Sequence, residues 1–295
     1  MPSLKDVQIR IGATKKIKQI TNTMKLVATS RFRNAQINMD AFRPYAEKFA
    51  EVLGSITDKT EAEANELLIP REHVNNIHLA LCTSDRGLCG GFNASLIDKA
   101  EAFIDEKAAR NINALITNFG KKGRDWARKA KMQIQNAHIG VIGSKIKFSV
   151  ASNEGQKWVN GFLEGTYDEV YIIYSKFVNR GTQRPVIQQL LPIPPVEKDV
   201  AGLDSGQPLL AEHICEPPPE ELLAELLPRS IAVQLYSALL EASTSENAAR
   251  MTAMDNATKA CDDMIEELTL AYNKARQAAI TSELMDIVGG AEALK

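Results

Sequence analysis

The stretch whose residue types come closest to a chemical motif is Ser84–Gly91, SDRGLCGG. It follows a short apolar run at Ile77–Cys82 and precedes a helical pattern from Asn93. A glycine-rich turn in that place can hold phosphate against a helix N-terminus. Its spacing, however, is neither G-x-G-x-x-G nor the phosphate loop that ends in Gly-Lys followed by Ser or Thr, so it lacks the lysine and hydroxyl that phosphate and magnesium need. The plainer reading is a tight turn requiring glycine backbone angles, with Arg86 left for a partner. Cys89 as a nucleophile would need a base, and His73, His78, His138 and His213 are none of them close to it in sequence. Asp262, Asp263, Glu266 and Glu267 cluster on a helix but flank its apolar seam, which suits salt bridges better than a metal. No catalytic, cofactor-binding or metal-binding residue is assigned.

The chain has 295 residues, 44% of them apolar and 24% charged, with a net charge of -2. That is enough to bury a core of one large or two smaller domains. Near-neutrality excludes bulk attraction to nucleic acid. Charge is distributed unevenly: Met1–Gln36 carries eight Lys or Arg and one acid, whereas Glu241–Lys295 carries ten acids and five bases. Such opposite ends suit two helices lying side by side. Cys82, Cys89, Cys215 and Cys261 lack metal-ligand spacing, and a reduced compartment is the simpler expectation. No apolar run approaches the roughly 20 residues of a membrane span. The basic amphipathic start imitates a transit peptide, but its stripe continues past fifty residues, so it is expected to be structure.

Any site must be positioned by the long periodic helices at the two ends. Met254, Ala257, Cys261, Met264, Leu268, Ala271, Ala275, Ala278 and Met285 follow steps of three and four with only Ser282 breaking the seam, and Ala28, Phe32, Ala35, Met39, Phe42, Ala46, Phe49, Leu53 and Ile56 do so without a break. An earlier seam runs through Ala13, Ile17, Ile20 and Met24, and the steps from Ile20 through Met24 and Ala28 to Phe32 are all four, which predicts a stutter and a straightened pair near Met24. Pro44 should kink the first helix, and Pro228 should break or bend the last. Between the ends, short apolar runs at Ile77–Cys82, Ala114–Thr117, Val170–Tyr174 and Val186–Leu191 alternate with helical stretches. This argues for a small α/β domain with a mostly parallel sheet. The expected architecture is therefore α+α/β: a long antiparallel two-helix coiled coil built from both termini, plus an inserted small Rossmann-like α/β domain. Its boundaries are 1–58 for the first helix, 74–215 for the α/β domain and 219–295 for the last helix. With the helix bases level, the first helix runs out beside about residue 275 at roughly 1.5 Å per residue. Ile280, Leu284, Met285, Ile287 and Val288 then project without a partner, and something must surround them.

Six segments resemble the gamma subunit of the F-type ATP synthase: Ile20–Gln36, Arg43–Glu47, Thr83–Asn93, Gln189–Pro194, Ser245–Thr258 and Tyr272–Ala291. They span the chain in the family's order. The resemblance implies a rotor shaft inside a hexamer of three alpha and three beta subunits, with the α/β domain contacting epsilon and the ring of membrane c subunits. It implies no cofactor, no catalysis by this chain, and a peripheral place on the cytoplasmic face of the bacterial inner membrane. Arg276, Gln277, Thr281 and Glu283 match positions that meet the catalytic subunits. Met24 and Lys25 match the neck, Arg86 and Cys89 a turn near acidic loops of beta, and Glu216 the foot facing the c ring. Ile214-Cys215-Glu216-Pro217 departs from the family, which commonly has an aromatic residue before the Glu, and Pro228 is also unusual. The two-cysteine regulatory insertion of the chloroplast form is missing, so no thiol switch is expected. The readings that compete are an α/β nucleotide-dependent enzyme with helical arms and a static coiled-coil adaptor.

Overall fold

The computed structural model describes residues 4–57, 65–143, 145–194 and 218–293. The elements run α1 (Leu4–Thr57), β1 (Asn76–Cys82), α2 (Phe92–Ala108), β2 (Asn113–Phe119), α3 (Lys121–Lys129), β3 (Gln133–His138), α4 (Phe148–Leu163), β4 (Glu169–Phe177), β5 (Gln183–Leu191) and α5 (Pro219–Ala293). This is the expected architecture of two long terminal helices around a small α/β domain. Neither Pro44 nor Pro228 stops its helix. The chain divides into two compact units, Met1–Ser30 with Arg250–Lys295, and Arg31–Ala249, so α1 and α5 each contribute to both.

In the larger unit the sheet order is β3-β2-β1-β4-β5. The first four strands are parallel and β5 is antiparallel to β4. The central strand β1 is almost wholly buried, which is why it reads as a continuous apolar run rather than an alternation. β3 escapes the sequence reading because it is a polar edge strand, QIQNAH, that buries little on either side. One face of the domain packs Trp158 and Phe162 of α4 with Phe119, Tyr167 and Ile172, and onto this core come Leu53 and Ile56 of α1 and Leu227, Ile231 and Leu235 of α5. Side chains of this size contribute about 1.5–3 kcal/mol each when fully buried. Phe42 meets Tyr236 edge to face at 4.7 Å. The opposite face holds Leu81, Leu96, Ile116 and Ile173.

In the smaller unit the two helices pair in antiparallel order, as expected. Thr14 Oγ1 lies 3.8 Å from Met264 Sδ, Thr258 Oγ1 donates to Thr21 Oγ1 at 2.9 Å, and Lys25 Nζ donates to Asp255 Oδ1 at 2.6 Å. Lys18 also pairs with Asp262. Partner numbers fall as the first number rises, and at this register α1 runs out beside about residue 275.

The seam itself corrects the sequence reading. The inward positions of α1 here are Val7, Ile11, Thr14, Lys18, Thr21, Lys25 and Ala28, an unbroken alternation of four and three. Ala13, Ile17 and Ile20 face outward, with Ile17 51% and Ile20 60% exposed. The run of fours began on the outward Ile20, whereas the inward steps there go from Thr21 through Lys25 and Ala28 to Phe32 by four, three and four, so the stutter it implied does not exist. On α5 Met254, Cys261, Leu268 and Ala275 are seam residues as expected, but Thr258 is half-buried beside Ala257, and further on Ile265 and Tyr272 come between them rather than Met264 and Ala271.

Candidate functional site

The seam of the smaller unit is mixed rather than wholly apolar: Val7, Ala28 and Met254 are buried beside Thr14 and Thr21, the ion pairs flank it partly in solvent, and Ile9, Ile17, Ile20, Leu26 and Val27 of α1 are exposed. An apolar side chain loses its transfer free energy when left in water, so a surface of this kind requires an apolar or protein surround. The effect is strongest at the end of α5, where every described residue from Thr281 to Ala291 is exposed. Leu284 is 57% and Met285 69% exposed, and Ile280, Ile287 and Val288 are similarly open.

Arg276, Gln277, Thr281 and Glu283 lie on this same segment, all exposed. Thr281 donates its hydroxyl to Gln277 O at 2.9 Å, within its own helix. Met24 and Lys25 are half-buried. The charge of Lys25 is spent on Asp255, which also receives Lys259 at 2.9 Å. Hydrogen bonds from Lys25 and Lys259 hold the Asp255 carboxyl down at about 2. Glu216 lies outside the described residues.

In the larger unit the turn after β1 is built from its own side chains. Ser84 N donates to Asn93 Oδ1 at 2.9 Å, Ser84 Oγ donates to Arg86 O at 2.6 Å, and Asn93 Nδ2 lies 3.2 Å from Cys89 Sγ. Cys89 is 1% exposed, so it shapes the turn from inside, while Arg86, Gly87, Leu88, Gly90 and Gly91 are exposed. Gly90 takes a positive φ of 58°, as the glycine reading requires, and Leu88 shares that backbone region at 63°. Asp85 braces the neighbouring loops: its two carboxylate oxygens accept from Lys121 N and Gly140 N, each at 2.9 Å. Gly120 adopts φ 110° where an added Cβ would lie 2.1 Å from Thr83 O, so the β2–α3 turn can close on β1 only with glycine. This bracing by Thr83, Asp85 and Gly120 is invisible in the sequence, because its partners are backbone atoms of distant loops.

The arrangement also explains why this turn is a poor phosphate cradle. In a doubly wound sheet a ligand sits outside the C-terminal ends of the strands at the switch point, here between β1 and β4. Beside that place Ser245 of α5 donates to Ser175 O of β4 at 2.9 Å, and Ala249 packs on the cluster containing Cys89 and Phe92. The protein's own helix takes up the room. No histidine among the described residues is a hydrogen-bond partner of Cys89: His78 lies between Trp158 and Tyr167, and His138 pairs with Glu154 at 3.3 Å. Among the described residues no group of three or more His, Cys, Asp or Glu is placed to hold a metal, and no helix is long and apolar enough to cross a membrane.

What these features define is a chain whose two ends close into one helical hairpin and whose middle forms an α/β domain, with its outward apolar surface displayed by the hairpin. The chain belongs to the ATP synthase gamma chain family. The family model described as ATP synthase matches residues 3–294. The ATP synthase gamma chain of Desulfosudis oleivorans is 58% identical over the full length of both chains, and that of Nitratidesulfovibrio vulgaris strain Hildenborough is 49% identical, again over both full lengths. Among solved structures, a chain of the Euglena gracilis mitochondrial ATP synthase matches with a TM-score of 0.66 at 17% identity, covering 99% of this chain and 94% of that one. A chain of the Tetrahymena thermophila central stalk and c ring matches at 0.57 and 24% identity, over 81% of this chain and 99% of that one. These two likenesses establish the shared fold.

Proposed function

We propose that the chain is the central rotor shaft of an ATP synthase. Its helical hairpin turns inside a hexamer of three alpha and three beta subunits, and its α/β domain joins epsilon and the c ring. The carrying observation is the set of large apolar side chains left exposed on the hairpin, Ile17, Ile20 and Leu26 on α1 and Leu284, Met285 and Ile287 on α5, which a protein sleeve would cover. The chain itself is non-catalytic and holds no nucleotide, a reading supported by the crevice that α5 fills. An asymmetric hairpin presents a different face to each of three catalytic sites, so its angle biases their affinities and rotation cycles them.

Arg276, Gln277, Thr281 and Glu283 are the sleeve contacts at the tip, Met24 with Lys25 the contact at the neck, and Arg86 the contact on the α/β domain, where Cys89 acts by holding the turn in shape. Glu216 is the contact toward the c ring or epsilon. The functional parts are 1–58, 74–215 and 219–295. The complex places the chain peripherally on the cytoplasmic face of the bacterial inner membrane.

The test is to replace Leu284 and Ile287 together by Glu and co-express the chain with its partner subunits. Burying two unpaired charges costs several kcal/mol, so assembled, ATP-hydrolysing complex should fall by at least about tenfold. Full assembly with unchanged ATP-driven rotation would overturn the sleeve reading.

A further inference from the structure

α5 carries a band of five consecutive buried polar residues, Ser243, Thr244, Ser245, Glu246 and Asn247, in an otherwise apolar helix face. Two of its hydroxyls leave the helix. Ser243 Oγ donates to Ile142 O at 2.8 Å in the loop after β3, and Ser245 Oγ donates to Ser175 O at 2.9 Å in β4. One turn earlier Glu241 Oε2 accepts from Phe177 N at 3.2 Å, at the end of β4. Thr244 and Asn247 do the opposite: Thr244 Oγ1 donates to Leu240 O at 2.9 Å and Asn247 Nδ2 to Ser243 O at 2.8 Å, both within α5.

Apolar packing is non-directional, and packed helices can settle in alternative registers one turn apart. A hydroxyl aimed at a fixed carbonyl of another element has one good angle, and leaving it unmade in a buried place is unfavourable. Two such bonds, to carbonyls in different parts of the α/β domain, fix both the height and the rotational phase of α5 against that domain. A helix held only by leucines would not have its phase so defined.

We infer that Ser243 and Ser245 are positioning residues that lock the angle of α5 against the α/β domain, forming the joint through which torque passes between that domain and the helix. The inference rests on the rotor reading above. The joint acts through direction rather than adhesion, so its loss loosens angle before it loosens assembly.

The test uses the assembled complex with a bead on the α/β domain and the rotor stalled without nucleotide, so that angular fluctuation of the bead reports torsional compliance. Ser243→Ala and Ser245→Ala, made singly, should each widen the angular variance by about 1.5-fold or more, and Thr244→Ala should leave it unchanged. All three remove one buried hydroxyl, but only the first two cut a bond to another element. ATP-driven ion pumping per ATP hydrolysed should fall in the same two variants, a readout that a general loss of stability would not move. Equal widening in all three variants would assign the stiffness to packing, and no widening in any would remove the joint; either overturns the inference. If the unaltered complex showed no rotation at all, the rotor reading would fail instead.

Discussion

The two compact units solve opposite problems with the same helices. In the unit from Arg31 to Ala249, α1 and α5 turn Leu53, Ile56, Leu227 and Ile231 inward and join a core with Trp158 and Phe162. In the unit made of Met1–Ser30 and Arg250–Lys295, the same two helices turn Thr14, Thr21 and Thr258 inward and put Ile17, Ile20, Leu284 and Met285 outward. The first arrangement is self-sufficient. The second leaves large apolar side chains for a partner to cover, and directional polar contacts such as Thr258 to Thr21 add definition of register to its small apolar seam. Burial is therefore a guide to stability in one unit and to partnership in the other.

The comparison is most easily strained at His78, where the larger unit breaks its own rule. This histidine is fully buried, and neither ring nitrogen has a hydrogen-bond partner among the described residues. Burial pushes its pKa down from 6.5 to about 3, against a weaker upward pull from Glu154. With the folded value below the unfolded one, the unfolded chain takes up the proton first. Stability is thus fully present above about pH 6.5 and is lost as pH falls toward 3, at about 1.4 kcal/mol per pH unit. Below about 4.5 the loss steepens as Glu154 joins in: burial works to raise its carboxyl, but hydrogen bonds from His138 and Lys157 win and hold it at about 2. Both tryptophans, Trp126 and Trp158, lie in this unit, so their fluorescence follows its unfolding alone. His78→Phe should remove the slope between pH 6.5 and 4.5 and stabilise the unit by about 1–2 kcal/mol at neutral pH, since the unpaired polar atoms go. An unchanged slope would show that His78 reaches water.

A smaller effect sharpens the other half of the comparison. Thr21→Val with Thr258→Val replaces both ends of one seam hydrogen bond by groups of the same shape. Such paired replacements are neutral or stabilising, here by up to about 1 kcal/mol. Helicity of the hairpin, followed by far-ultraviolet circular dichroism on heating, should persist to the same or a slightly higher temperature, with tryptophan fluorescence unmoved. A clear loss of hairpin stability would mean that the threonines are there for strength rather than register.

The larger unit was the more legible of the two. Four of its five strands are the short apolar runs read in the sequence, and its three short helices are the helical stretches between them. β3 was missed because an edge strand needs few apolar residues, and QIQNAH has Ile134 as its one large apolar side chain. The seam of the smaller unit was half-legible. From Ala28 onward in α1 the apolar alternation is the inward face, but before it the rule that apolar means inward selects Ile17 and Ile20, which face away. The opposed charges pointed only to the pairing, now seen where Lys18 meets Asp262 and Lys25 meets Asp255, and the register came from levelling the helix bases. Pro228 does not break α5. Its helix is held on both sides of it by Leu223, Leu227 and Ile231 in the core, and tertiary packing overrides the local cost.

The smallest expected effect lies at the most informative of those charges. Asp255 is flanked by Lys25 across the seam and Lys259 one turn along α5, and hydrogen bonds from Lys25 first and Lys259 second hold its carboxyl at about 2 rather than 3.8. Because the folded value is depressed, the contribution is complete above about pH 4 and disappears as pH falls through 2. The group is open to solvent, so screening keeps its effect on stability slight and a melting curve is the wrong instrument. A carbon-detected titration of labelled aspartates reads the pair directly. The Asp255 signal should have its midpoint near 2, and Lys25→Met should move that midpoint up toward 3.8 by more than Lys259→Met does. The order matters, because Lys25 is the partner that crosses between helices. If Lys259→Met moved it further, the seam at this height would be held by packing alone, and the polar inside of the hairpin would be a bystander to its register.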